Sequence, residues 1–394
     1  MTLAAEDTGE APGVRSPFAP ALPPGPGETR RWGRLYGSSF GLVIDAAARR
    51  HGAPLAVVAP DTATAERLIQ EIRFYAAGEH LPVAGFPDWE TLPYDVFSPH
   101  QDLVSQRIRA LYQLPGWRHG ILVVPVTTLL QRLAPRSFLH AHSLVITVGQ
   151  MLDVDDMRRR LEAAGYHYVS QVAEHGEFAV RGSLLDIYPM GSELPYRIDL
   201  MDNEIESIRT FDPETQRSVD HIQAVDLLPA REFPLTPEGI KHFRQTYRDC
   251  FEGDPQRSII YRDVSQGLPP AGIEYYLPLF FDATETLFDY LPRGTLIVTA
   301  GDTETAAREF MAQVHERYES RRVDPERPLL APERLDQSAE EFARSLKGFA
   351  RVELPRFALS AGASPPPDAP NFGPGAPPVF PADARGLQAP GGLK

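Results

Sequence analysis

Strict alternation marks one stretch of the chain. Tyr196, Ile198 and Leu200 fall on one side of an extended strand, and Arg197, Asp199 and Met201 on the other, because successive strand side chains point to opposite faces. Upstream, Phe178 and Val180 oppose Ala179 and Arg181 in the same way, and after Gly182-Ser183 the apolar run resumes at Leu184-Leu185-Asp186-Ile187. An apolar residue, Met201, therefore joins an otherwise polar face. The pattern predicts a small β-meander that turns Arg181 and Arg197 outward beside an exposed Met201, the outline of a docking surface. Asp202-Asn203-Glu204 reads as a hairpin turn within it.

Elsewhere the period changes. Leu55–Ala59 is a short apolar strand, and Asp61 or Thr62 caps a helix running to about Tyr75. Residues 83–86 read as a strand, 101–114 as an amphipathic helix, 121–124 as a buried strand and 126–133 as another helix. Strand alternating with helix is the rhythm of a parallel sheet covered by helices. Residues 144–148 predict one more strand, Asp153 caps a helix over 154–164, and strands then run to about Leu228. Strand and helix alternate again from Thr236, with a helix to about Phe251, apolar aromatic stretches at 273–277 and 279–281, a strand over 295–299 and a helix over 303–318. The predicted architecture is α/β: a parallel-sheet domain (31–143 and 229–353) split by an inserted β-rich α+β domain (144–228). Residues 1–30 and 354–394 are rich in Pro and Gly and read as a disordered tail and a linker toward a next domain.

A chain of 394 residues with 42% hydrophobic residues is long enough for two or three units. Its net charge of −14 argues against gripping phosphate backbones as a main task and favours a protein partner. A single cysteine, Cys250, excludes an internal disulfide framework and suits a reducing compartment. No apolar run approaches the roughly 20 residues of a membrane span, and the first thirty residues lack the apolar core of a signal peptide. A cytoplasmic protein without membrane contact is expected. All but three of the 39 basic residues are arginine, so an arginine's mere presence carries little weight.

Each candidate chemistry meets a simpler reading. Leu35-Tyr36-Gly37-Ser38-Ser39-Phe40-Gly41-Leu42 sits where a phosphate-binding turn belongs, but only Gly37 and Gly41 survive of Gly-x-x-x-x-Gly-Lys-Ser/Thr; the lysine and hydroxyl that neutralise phosphate and ligate magnesium are missing. No cofactor is expected for this segment. His140 and His142 lack further ligands at metal-binding spacing. Asp186, Asp199, Asp202 and Glu204 read as solvated acids rather than a metal site, and no Gly-x-Ser-x-Gly elbow occurs. Trp89, Tyr94 and Phe97 are of the type that stacks on bases, yet Asp88, Glu90 and Asp95 among them repel phosphates, so 86–100 reads as a structural loop.

That loop, with Gln101-Asp102, Leu111-Tyr112-Gln113-Leu114-Pro115, Glu174-His175-Gly176-Glu177 and Pro189-Met190-Gly191-Ser192-Glu193-Leu194-Pro195-Tyr196-Arg197, closely resembles the N-terminal part of the bacterial transcription-repair coupling factors. The similarity runs from about Leu35 to Leu354. Arg181 to Pro189 resembles the excision-repair protein UvrB. The resemblance implies a degenerate helicase-like domain interrupted by a UvrA-binding domain, with Arg181, Arg197 and Met201 at the positions that meet UvrA; other members carry a larger aromatic at Met201. It also implies a lost phosphate loop and no DNA-clamping hairpin after Tyr94. Full-length relatives contact RNA polymerase and double-stranded DNA and use ATP and magnesium in a C-terminal translocase motor, none of it in these residues. In the family, C-terminal domains are thought to mask the UvrA surface by intramolecular contact. The alternative reading is an active nucleotide-hydrolysing helicase-like domain.

Overall fold

The computed structural model describes residues 18–33, 35, 37–77 and 81–355. Most of both expected tails, residues 1–17 and 356–394, lies outside them. In chain order the strands are β1 (Thr29–Arg31), β2 (Leu55–Ala59), β3 (Val83–Gly85), β4 (Ile121–Pro125), β5 (Arg132–Leu133), β6 (Leu144–Thr147), β7 (His167–Tyr168), β8 (Glu177–Arg181), β9 (Leu184–Ile187), β10 (Tyr196–Met201), β11 (Glu204–Phe211), β12 (Ser218–Ile222), β13 (Ala224–Leu227), β14 (Glu285–Thr286), β15 (Leu296–Ala300) and β16 (Ala350–Leu354).

Six strands form a parallel sheet in the order β1-β16-β15-β2-β4-β3. Every residue of β2, β4 and β15 is buried, which is why these strands read as unbroken apolar runs rather than alternating ones. A second, mixed sheet runs β12-β11-β10-β9-β8-β7, antiparallel except for the parallel pair β7 and β8. The chain enters this region through β6 and leaves through β13, and the two pair antiparallel at its neck.

Two local expectations need correction. The boundary at residue 30 falls inside structure: Thr29–Arg31 pair with β16, and Trp32 behind them is fully buried with its indole Nε1 donating to the Ala21 carbonyl at 2.9 Å. At the other end β16 lies between β1 and β15, a sheet position that its alternating sequence does not announce. The helix expected over 126–133 stops after Val126–Leu129, and Arg132–Leu133 pair with β14 instead; the Ala134-Pro135 step favours extended backbone there.

The inner face of the second sheet is not a separate interior. Phe178, Leu185, Ile198 and Ile208 belong to one apolar cluster with Ala56, Val58, Leu111 and Leu122 of the parallel-sheet side. Polar contacts cross the same seam. Gly191 N–H donates to Ser105 Oγ at 2.8 Å, and the His175 ring bridges Asp102 Oδ1 and the Ser192 carbonyl at 2.7 and 2.8 Å. Asp102 and Ser105 lie on the helix Gln101–Gln113, so the insert is riveted to the scaffold along that helix.

Candidate functional site

The outward face of the second sheet is built from cross-strand rows. Ala179, Asp186, Arg197, Arg209 and His221 stand opposite one another across five strands. One pleat further lie Arg181, Leu184, Asp199 and Ser207. Beyond them Met201 faces Glu204 next to the turn. Asp202 and Asn203 between them both take positive φ, 49° and 67°, the left-handed geometry of a tight two-residue hairpin.

The two arginines have different fates. Arg197 directly faces Asp186, and its Nε and Nη2 donate to the two carboxylate oxygens at 2.7 and 2.9 Å. Both side chains are largely withdrawn from solvent, at 17% and 4% exposure. The guanidinium also lies 4.8 Å from the Phe211 ring and donates to the Gln216 carbonyl at 3.2 Å. Hydrogen bonding to Asp186 pushes its already high pKa further up. Arg197 therefore does not stand free as the alternation predicts: a carboxylate directly across the ladder claims it. Arg181 is exposed, and its Nη2 donates to the Ser170 carbonyl. Met201 is 60% exposed. Arg209 is paired with Asp199 at 2.6 Å. The cation offered outward on the Arg181 row is thus Arg181 itself.

Sequence reasoning missed the second layer under this face. Val172, Ala179 and Phe211 form a small apolar cluster with Val169 and Tyr188 packed against it, and Gln216 Nε2 fastens the covering segment by donating to the Val172 carbonyl at 3.0 Å. Only Asp186, one residue from Leu185 in a strand otherwise apolar, carried a signal of the pairing.

Other candidates resolve structurally. Gly37 has φ +54°, while Gly41 lies inside the helix Ser39–His51. A Cβ at Gly41 would fall 2.8 Å from Glu71 Cβ, so this glycine lets that helix touch the helix Thr62–Ala76. His142 Nδ1 meets the Phe138 carbonyl at 2.8 Å, and among the described residues no group of three or more His, Cys, Asp or Glu is placed to hold a metal ion. Trp89 and Tyr94 are buried against Tyr275, whereas Phe97 is 66% exposed. Among the described residues no helix is long and apolar enough to cross a membrane.

Fold and face together define a class: an α/β platform with a parallel sheet that carries an inserted mixed sheet. Residues 144–233 match the UvrB interaction domain family, running slightly past the 144–228 read from the sequence. The chain is 48% identical over 334 residues to the transcription-repair-coupling factor of Escherichia coli (strain K12), covering 84% of this chain and 29% of that protein. To the factor of the same name from Haemophilus influenzae it is 45% identical over 338 residues, 85% of this chain and 29% of that one. The Myxococcus xanthus factor is 37% identical over 278 residues, 67% and 23% respectively. The chain thus has the sequence of the N-terminal, UvrB-like module of the bacterial transcription-repair-coupling factors, and it spans about 29% of the length of the first two.

Proposed function

We propose that this module is an adaptor, recruiting the excision-repair protein UvrA through the outward face of the inserted sheet to RNA polymerase stalled on DNA. The observation that carries the reading is that the UvrB interaction domain match falls on the sheet that displays Arg181 and Met201. A guanidinium suits the task because its planar fork grips a carboxylate at two points. Arg197 serves the same face from within, held by Asp186 while its guanidinium lies over the Phe211 ring and donates to the Gln216 carbonyl of the second layer. RNA polymerase and double-stranded DNA are partners of the wider protein, and ATP with magnesium belongs to its motor; contact between C-terminal domains and this face is part of the same reading.

The scaffold is read as a degenerate helicase-like domain that binds no nucleotide, which accords with Gly41 serving helix packing. Pull-down of purified UvrA tests the adaptor role. Arg181→Ala abolishes capture with circular dichroism and melting temperature unchanged; wild-type capture by that variant refutes the role assigned to the face.

A further inference from the structure

Met201 does not stand alone. Antiparallel pairing places Met201 opposite Glu204, and on the other side of Glu204 an isolated bridge places Met151 opposite the same residue. Residues directly opposite in neighbouring strands share a face, so Met151, Glu204 and Met201 form one row across three segments. The adjoining backbone secures the register. Gly149 N–H donates to the Ile205 carbonyl at 2.8 Å, Ile205 N–H to the Gln150 carbonyl at 2.9 Å, and Leu152 N–H to the Asn203 carbonyl at 2.7 Å. The neighbours Leu152, Leu200 and Ile205 are buried on the inner side, which leaves the row outward. Both methionines are open to solvent, Met151 at 65% and Met201 at 60%.

We propose that Met151 and Met201 form a single apolar shelf that extends the docking face past the hairpin, to a segment outside the meander. The inference rests on the UvrA reading of that face and commits to the same occupant. The shelf continues the Arg181 row one pleat away, about 7 Å along the strand. A thioether chain is unbranched and polarizable, so a pair of them moulds to an irregular apolar surface. Exposed Glu204 sits between the two sulfur-bearing chains, so the matching patch on UvrA is an apolar knob with a basic residue beside it and, two strands across and two residues along from Met201, about 12 Å away, a carboxylate for Arg181.

The test measures affinity of the full chain for purified UvrA by interferometry, comparing Met151→Glu and Met151→Leu with Arg181→Ala. Met151→Glu is expected to weaken binding by at least about tenfold and Met151→Leu by less than about threefold, with amides of residues 149–152 protected from hydrogen exchange in the wild-type complex. If Met151→Glu binds like wild type, or 149–152 gain no protection, while Arg181→Ala fails to bind, the shelf is refuted and the docking face stands. If Arg181→Ala also binds like wild type, the face itself is wrong. Should Met151→Glu melt early, the exchange measurement on the unaltered chain decides.

Discussion

Arg107 and Glu232 meet at 2.7 Å with side chains 0% and 5% exposed. Arg107 comes from the helix Gln101–Gln113 and Glu232 from the segment just after the insert. The guanidinium also donates to the Pro87 carbonyl at 2.9 Å and lies 4.5 and 4.9 Å from the Phe86 and Trp89 rings. One cation therefore ties the helix, the aromatic loop and the exit from the insert. Removing one partner strands the other charge out of water. Glu232→Gln and Arg107→Met are each expected to cost roughly 3–5 kcal/mol in urea unfolding, and the double variant less than their sum.

Arg197 and Arg181 separate by the same logic. Arg197→Ala leaves Asp186 buried without its bidentate partner, and is expected to lower stability by about 2 kcal/mol. Arg181→Ala removes an exposed side chain and should leave the unfolding midpoint nearly unchanged. Thermal melts of the two variants side by side check this, and only a fold-neutral Arg197 would contradict the pairing.

A pH dependence follows from the cleft lined by Asp88, Gln131, Glu274 and Asp336. Burial, aided by repulsion from Asp88, pushes the Asp336 carboxyl up to about 7. The folded state then binds a proton that the unfolded chain releases near pH 4, so stability is full below that and falls as pH rises toward 7. Glu274, raised mainly by burial to about 7, acts in the same direction. Asp336→Asn is expected to flatten the dependence and to stabilise the chain by roughly 2–4 kcal/mol at pH 8 but not at pH 4. Denaturant titrations at the two pH values measure it.

The hairpin that carries Met201 depends on left-handed backbone at Asp202 and Asn203. Asn203→Gly is expected to be neutral or slightly stabilising, and Asn203→Val to cost about 1–2 kcal/mol. Because the turn sets the register of β10 and β11, the valine variant should also weaken UvrA capture, whereas the glycine variant should not.

Much of the architecture is legible from periodicity. Leu55–Ala59 and the core of Ile121–Pro125 announce themselves by unbroken apolar runs, and Asp61, Asp153 and Thr236 cap the helices they precede by accepting backbone N–H bonds. The alternation in Tyr196–Met201 gives the buried and outward faces as observed. Harder to read are features made by partners distant in sequence. Ala350–Leu354 alternates like a half-exposed strand yet fills an interior sheet position. Arg197 looks free until strand register sets Asp186 opposite it, and Met151 gains its meaning only from a bridge to residue 204. Local pattern reports which side a residue faces, not what waits there.

The shared interior of insert and scaffold has a mechanical consequence. With Ile198 and Leu185 in the same apolar mass as Val58 and Leu122, swinging the inserted sheet by itself would open that shared interior to water. A pull on the sheet's outer side therefore loads contacts that the parallel strands share.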